Sequence, residues 1–461
     1  MQHNTKKILL ITPYFAPQSH AAMFRVYKLA KYLPEHGYEV HVLTVDTNYL
    51  YNEDPSLMAG LPESVKVHTA RYIEPSLRGL RMAIGGQDRT FYALKLKQTS
   101  KNNAAVSQQL IQDGNDSNKK RESNKGGKVA AFKRFMSDRP DRLWTWYRPA
   151  LKQAKHLIET HRISLIYTTS APYTTLKMGK ALQASCGVKW VADFRDPLGY
   201  GPRFSSPRLK AQREEQRLVK EAMQSADHIV GLAQSYHYIF KDLYAVDSQK
   251  MRFIPTGADD QYMQYRNNDN TVQKPHALSL IFIGEFLDEY DSDYIFQLIS
   301  AYAAESDAGV VLRIIGREEV NRPRVEQLLS SVERTSSKFT IEFIDHLPQH
   351  VLYQYIEQAD AGILIPGESL WFTNFAKLVD YLAFKKPVLA DVAKISEARS
   401  ALAEAGLGLF LTGDMDKDKS LLTSVTTREY GKAVNHEYCR QYLASSQVSA
   451  FVDVFDRVVG S

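Results

Sequence analysis

A chain of 461 residues with 44% hydrophobic and 24% charged residues can bury two or three cores, and its composition excludes a disordered polymer. Two cysteines, Cys186 and Cys439, exclude a disulfide framework and point to a reducing cytoplasm. The net charge of +6 is uneven, because residues 71–148 carry 17 Lys/Arg against 7 Asp/Glu and the remainder is acidic.

No apolar run approaches the roughly 20 residues of a membrane-spanning helix. The run Ile8 to Ile11 is too short for a signal peptide and ends at Pro13. The basic stretch is interleaved with Phe91, Tyr92, Phe132, Phe135, Trp144, Trp146 and Tyr147, which suits an anionic lipid surface. An ordinary solvated loop is the plain alternative. No nucleic-acid motif accompanies the charge, so no nucleic acid is expected as a partner. The 13 histidines show no metal spacing with Cys or acids, and no metal site is expected.

In chain order, Lys7 to Thr12 reads as a strand, Met23 to Leu33 as a helix ended by Gly37, and Glu39 to Val45 as a second strand. This is a β-α-β opening of doubly wound type. Arg25 sits on the first turn of that helix, where it can meet a phosphate or simply face solvent. Val65 to Arg71 is a further strand, and residues 98–128 form a polar insertion without periodicity. Trp144 to His161 returns to helix. Leu165 to Thr169 and Lys189 to Phe194 are strands around a helix from about Thr175 to Ser185. Ser170, Asp193, Arg195 and Asp196 fall at or beside the ends of these two strands, where doubly wound sheets carry their sites. An Asp there can orient or deprotonate a hydroxyl, and an Arg can hold a phosphate bidentately. The alternative is an Arg–Asp pair that braces the loop. Glu214 to Ala226 is a helix and Asp227 to Gly231 a strand. Residues 267–275 are polar and read as a linker.

The second half repeats the pattern. Leu278 to Gly284, Val310 to Gly316 and Phe339 to Ile344 are strands, and Arg317 follows the second of them. Glu285 to Asp291 is acid-rich and would repel a diphosphate. Ala361 to Ile365 is a short apolar strand, Phe375 to Phe384 a helix and Val388 to Ala390 a strand. Lys377 and Asp380 lie three apart, so they are neighbours on one helix face. The N–H groups near Asn374 to Lys377 would offer an anion site, with Asp380 roughly 7 Å further along the axis. A phosphate at the helix tip and a ribose diol at Asp380 fit that spacing, and so does an ordinary amphipathic helix with a solvated Lys–Asp pair.

The stretch NFAKLVDYLAFKKPVLA resembles the donor-site helix of GT-B glycosyltransferases of the family-4 type, and RVYKLAKYLPEHGYEVHVLT resembles the family's opening unit. LIYTTSAPYTT with WVADFRDP is similar to one bacterial branch of it. The sequence departs from the family in four places, the first being that the family's two glutamates separated by seven residues are incomplete, with Phe372 where counting back from Asp380 calls for an acid. Ser19-His20-Ala21-Ala22 replaces a glycine pair, Phe375-Ala376 replaces Pro-Gly, and the loop after Gly284 lacks the usual basic pair.

The resemblance implies an α/β fold of two Rossmann-like doubly wound domains facing a cleft. Residues 1–265 would be the acceptor-side domain and 276–445 the nucleotide-sugar domain, with 446–461 a C-terminal helix crossing back to the first. It implies a retaining transfer of sugar from a nucleotide-sugar to a saccharide or lipid-linked acceptor, with no obligatory metal, in bacterial polysaccharide or glycolipid assembly. The setting would be cytoplasmic, at the inner face of the membrane. Asp196 and Arg195 become the catalytic candidates. Lys377, Arg317, Gly284 and Asn374 would hold the donor diphosphate and Asp380 the ribose, while Arg25, Asp193 and Ser170 would lie on the acceptor side. A non-catalytic relative that binds lipid or protein, or a nucleotide-sugar epimerase, would share the architecture.

Overall fold

The computed structural model describes residues 6–18, 22–46, 54–75, 139–201, 204–206, 208–263, 277–286, 293–330, 332, 336–427 and 434–460. The polar insertion expected at 98–128, most of the basic stretch 71–148, the linker expected at 267–275 and the acid-rich residues Leu287 to Asp291 lie outside them, as do Ser19, His20 and Ala21.

The chain divides into two units. The first is built on β1 (Lys6–Ile11), α1 (Phe24–Tyr32), β2 (Tyr38–Val45), β3 (Lys66–Ala70), α2 (Trp144–His161), β4 (Leu165–Ser170), α3 (Tyr173–Cys186), β5 (Lys189–Phe194), α4 (Leu209–Ser225), β6 (His228–Gly231), the part of α5 (Ser235–Tyr244) from Ile239 onward, and β7 (Met251–Phe253). The strands lie in the order β3-β2-β1-β4-β5-β6-β7. β1 pairs in parallel with β2 on one side and β4 on the other. Helices cover both faces of such a sheet, so its strands read as continuous apolar runs. Ile8 to Ile11 are accordingly fully buried.

The second unit comprises β8 (Leu278–Ile283), α6 (Asp293–Glu305), β9 (Val310–Ile315), α7 (Glu318–Ser330), β10 (Phe339–Ile344), α8 (Gln349–Gln358), β11 (Ala361–Leu364), α9 (Ala376–Ala383), β12 (Val388–Ala390), α10 (Glu397–Ala405), β13 (Gly408–Phe410) and α11 (Met415–Thr426). Its strand order is β10-β9-β8-β11-β12-β13. One apolar cluster centres on Phe282, Phe296, Leu312 and Leu389. The other gathers Ile281, Leu364, Leu378, Leu382 and Leu402.

The last helix, α12 (Ala444–Gly460), begins in the second unit, where the Ala444 N–H donates to Ala258 O at 2.8 Å. Residues Val452–Ser461 belong to the first unit. There Phe455 packs edge-on to Tyr38 and Tyr167, and Lys6 pairs with Asp456 at 2.7 Å. The C-terminal helix therefore returns to the first domain. Among the described residues no helix is long and apolar enough to cross a membrane.

Candidate functional site

In each sheet the strand order reverses beside the first strand, between β1 and β4 and between β8 and β11. A crevice opens at the carboxyl ends of strands at such a switch point, and ligands of doubly wound folds bind there. The candidate residues fall into two sets, one per unit.

In the second unit, Gly284 ends β8 with φ +111°, a conformation that side chains with a Cβ rarely adopt. Its N–H donates to Ile315 O at 2.8 Å. Buried Asn321 clamps the turn, donating from Nδ2 to Gly284 O and accepting the Phe286 N–H, both at 2.9 Å. Arg317 is 56% exposed and donates to both carboxylate oxygens of Glu285, at 2.6 and 2.9 Å. The first acid of the loop is thereby neutralised by the arginine that follows β9, so part of the repulsion expected there is cancelled.

Across the switch point, α9 presents its N-terminus. Phe375 stands at the N-cap position and no side chain caps the helix. Half-buried Lys377 lies on the first turn with Nζ 3.9 Å from the centroid of the Phe282 ring, so β8 supplies its apolar bed. Nζ is also 3.9 Å from the point a Cβ on Gly284 would occupy. The structure thus brings Lys377 and Gly284 together. Burial pushes the Lys377 amine down to about 7, because the charged form loses hydration there.

Asp380, half-buried, accepts a bond of 3.3 Å from the Tyr353 hydroxyl. That hydroxyl in turn accepts from the Asp259 N–H and from Gln349 Nε2. Gly362 lets α9 sit close to the sheet, since a Cβ there would strike the Tyr381 ring at 2.7 Å. Asn374 is 5% exposed. Both of its side-chain polar atoms, and Thr373 Oγ1 beside it, are buried without a hydrogen-bond partner among the described residues. Each such group costs about 1–3 kcal/mol if nothing pairs with it. Thr373 went unremarked in the sequence, where a hydroxyl two residues before a helix carries no signal of burial.

In the first unit the strand-end candidates form one connected network. Asp193 is fully buried and accepts Arg25 Nε at 2.9 Å, Arg25 Nη2 at 2.8 Å and the Tyr167 hydroxyl at 2.7 Å. Thr169 Oγ1 donates to Asp193 at 3.2 Å and accepts Arg195 Nε at 3.1 Å. Arg195 also donates to Ala171 O. Ser170 Oγ donates to Asp193 O at 3.0 Å. Arg25 is 2% exposed and Ser170 0%, so these two and Asp193 support the strand ends from beneath the surface. Arg195 and Asp196 are only half-buried.

Asp141 was invisible in the sequence because it follows the long insertion. Its carboxylate caps α3, accepting the Thr174 N–H and the Thr174 hydroxyl, each at 2.7 Å. Burial nonetheless raises the Asp141 pKa, with these bonds opposing the rise. Tyr14, beyond β1, has its hydroxyl pKa raised by burial while Arg195 acts in the opposite direction.

No protein-family model matches the chain, and no match was found among curated proteins. Solved structures do resemble it over nearly its whole length. HepE of Anabaena, in complex with UDP and glucose, is 12% identical with a TM-score of 0.57, covering 98% of this chain and 100% of that one. A glycosyltransferase from Rickettsia africae is 12% identical with a TM-score of 0.56, covering 99% of each. Sucrose-phosphate synthase from Thermosynechococcus elongatus is 10% identical with a TM-score of 0.57, covering 99% of each. At these identities the likeness is one of fold. The fold is that of the GT-B glycosyltransferases, two parallel-sheet α/β domains of seven and six strands.

Proposed function

We propose that this chain is a glycosyltransferase of family-4 type that takes its sugar from a nucleotide-sugar, with a UDP-sugar the first to try. The observation that carries the reading is the set of orphaned buried atoms at Thr373 and Asn374, directly before the uncapped helix that bears Lys377 and Asp380. A ligand with hydroxyls and an anion would satisfy both features. HepE, which shares the fold, has been solved in complex with UDP and glucose and in complex with UDP-glucose, which supports a donor of this class.

In this reading Asp380 holds the ribose. Lys377, the backbone at Gly284 and the N–H groups of α9 hold the diphosphate. Arg317 joins them by leaving Glu285, since an exposed ion pair is worth about 0–1 kcal/mol and a diphosphate competes easily. During transfer the acceptor oxygen bonds to the anomeric carbon as that carbon's bond to the diphosphate breaks. The departing charge is then met by Lys377, Arg317 and the helix N-terminus. Asp196 and Arg195 are assigned to the acceptor side, where Asp196 would take the hydroxyl proton. The configuration at the anomeric carbon would be retained and no metal is invoked. The acceptor would be a saccharide or lipid-linked saccharide of a bacterial surface polymer or glycolipid, reached at the inner membrane face through the basic 71–148 stretch.

One observation favours a non-catalytic relative instead, namely that Glu285 already engages Arg317 through both oxygens. The variant Asn374→Ala tests the donor site, and transfer of sugar to an acceptor by the unaltered protein separates the two readings. Truncation removes a buried amide that has no hydrogen-bond partner among the described residues, so the melting temperature should hold or rise. Donor affinity should meanwhile fall roughly five- to thirtyfold, the equivalent of about 1–2 kcal/mol of lost hydrogen bonding. Unchanged affinity would remove Asn374 from the donor site. Turnover of donor without any acceptor would indicate an epimerase.

A further inference from the structure

Far from the strand carboxyl ends, the first unit gathers an acid and three histidines. Glu39 and His41 are the second and fourth residues of β2, so they project from the same face of the strand. His68 comes from the edge strand β3 and His161 is the last residue of α2. His41 Nε2 lies 3.0 Å from Glu39 Oε1, and His41 Nδ1 lies 3.1 Å from His68 Nε2. The His161 ring is 4.3 Å from that of His41, centroid to centroid. One donor atom from each of Glu39, His41 and His161 falls within 4.8 Å of the others.

We propose that Glu39, His41 and His161 bind a zinc-class divalent ion, with His68 positioning His41. Two imidazoles and a carboxylate form a borderline-soft set that suits Zn²⁺, and three protein ligands leave a fourth position for water. A tetrahedral ion holds its ligand atoms about 3.4 Å apart, given bonds of about 2.1 Å. Closing the present spread to that value takes a side-chain rotation of Glu39 or His161, both of which are only half-buried. With the ion on Nε2, His41 carries its proton on Nδ1 and donates it to His68, the outer bond that metal-bound histidines characteristically make.

The C-terminus of α2 adds a favourable field for a cation, because helix carbonyls point toward it. Against the ion stand two lysines, since Glu39 also pairs with Lys66 at 2.7 Å and Lys7 at 3.3 Å. Their side chains are 47% and 32% exposed and can turn into solvent. Such surface pairs are worth about 0–1 kcal/mol, less than a three-ligand zinc site returns. The site is remote from the strand ends that carry the candidate chemistry. Its role would be to staple α2 to the sheet edge formed by β2 and β3.

The test uses the full-length chain, freed of any histidine tag and stripped with a chelator. Co²⁺ titration should give the visible absorption of a tetrahedral ion at one equivalent, displaced by Zn²⁺. Zn²⁺ should raise the melting temperature by several degrees. His161→Gln and Glu39→Gln should each weaken binding more than tenfold while leaving the metal-free fold intact. His68→Gln should weaken it by roughly ten- to a hundredfold, as loss of an outer-shell partner does. Absence of the cobalt bands and of the thermal shift would overturn the proposal. So would affinity that survives both ligand substitutions, or that follows Cys186→Ser instead.

Discussion

Lys377 is the residue whose environment says most about its use. Its ammonium rests against the Phe282 ring, and burial lowers its pKa to about 7. A diphosphate favours the charged amine, so donor binding above pH 7 must draw a proton from solution. An intact nucleotide-sugar has no phosphate group that titrates near neutrality. Proton uptake measured calorimetrically in two buffers of different ionisation heat therefore reports the lysine. It should approach one proton per site at pH 8.5 and fall toward zero at pH 6. Affinity should accordingly drop by up to tenfold per pH unit above 7 and level off below. Lys377→Met should abolish the uptake and bind more weakly at every pH. Binding without proton uptake at pH 8.5 would mean that Lys377 does not meet the diphosphate.

Between elements, the buried contact of Arg25 with Asp193 joins α1 to β5, and Tyr167 adds β4 to the same carboxylate. Removing one partner leaves an uncompensated buried charge, so Asp193→Ala should cost about 3–5 kcal/mol in urea unfolding. Arg25→Met combined with Asp193→Leu should recover most of that loss. Equal destabilisation by the single and double variants would contradict the account. This pair also shows what the sequence could and could not tell. The strand Lys189–Phe194 and the helix Trp144–His161 were legible to the residue, the strand as a short apolar run and the helix because its apolar positions repeat at the helical period. The partner of Asp193 was not, since Arg25 lies 168 residues away. Helix α4 begins at Leu209, five residues before the periodic signal, because its first turn offers only exposed Leu209 and small, buried Ala211 as apolar positions. Helix α7 gave no signal, with Pro323 inside it and only Asn321, Val325 and Leu328 buried. The histidine cluster joins three elements and has no sequence spacing to betray it.

For the molecule as a whole, the doubly wound pattern of both halves was readable from the alternation of apolar runs with amphipathic segments. The strand order was not, because pairing depends on which runs meet at the switch points. Those switch points nonetheless place the β8 end and the α9 tip side by side, and the sequence had singled out residues on both. In the proposed reading the second domain holds a nucleotide-sugar there. Calorimetry of the full-length protein against UDP, GDP, ADP, CMP and their common sugars, with and without Mg²⁺, tests it most directly. One nucleotide class should bind, and Asp380→Ala should weaken it by about 1–3 kcal/mol through the lost ribose bonds while the fold stays intact. A well-folded protein that binds none of them, or whose affinity is indifferent to Asp380, would contradict the claim.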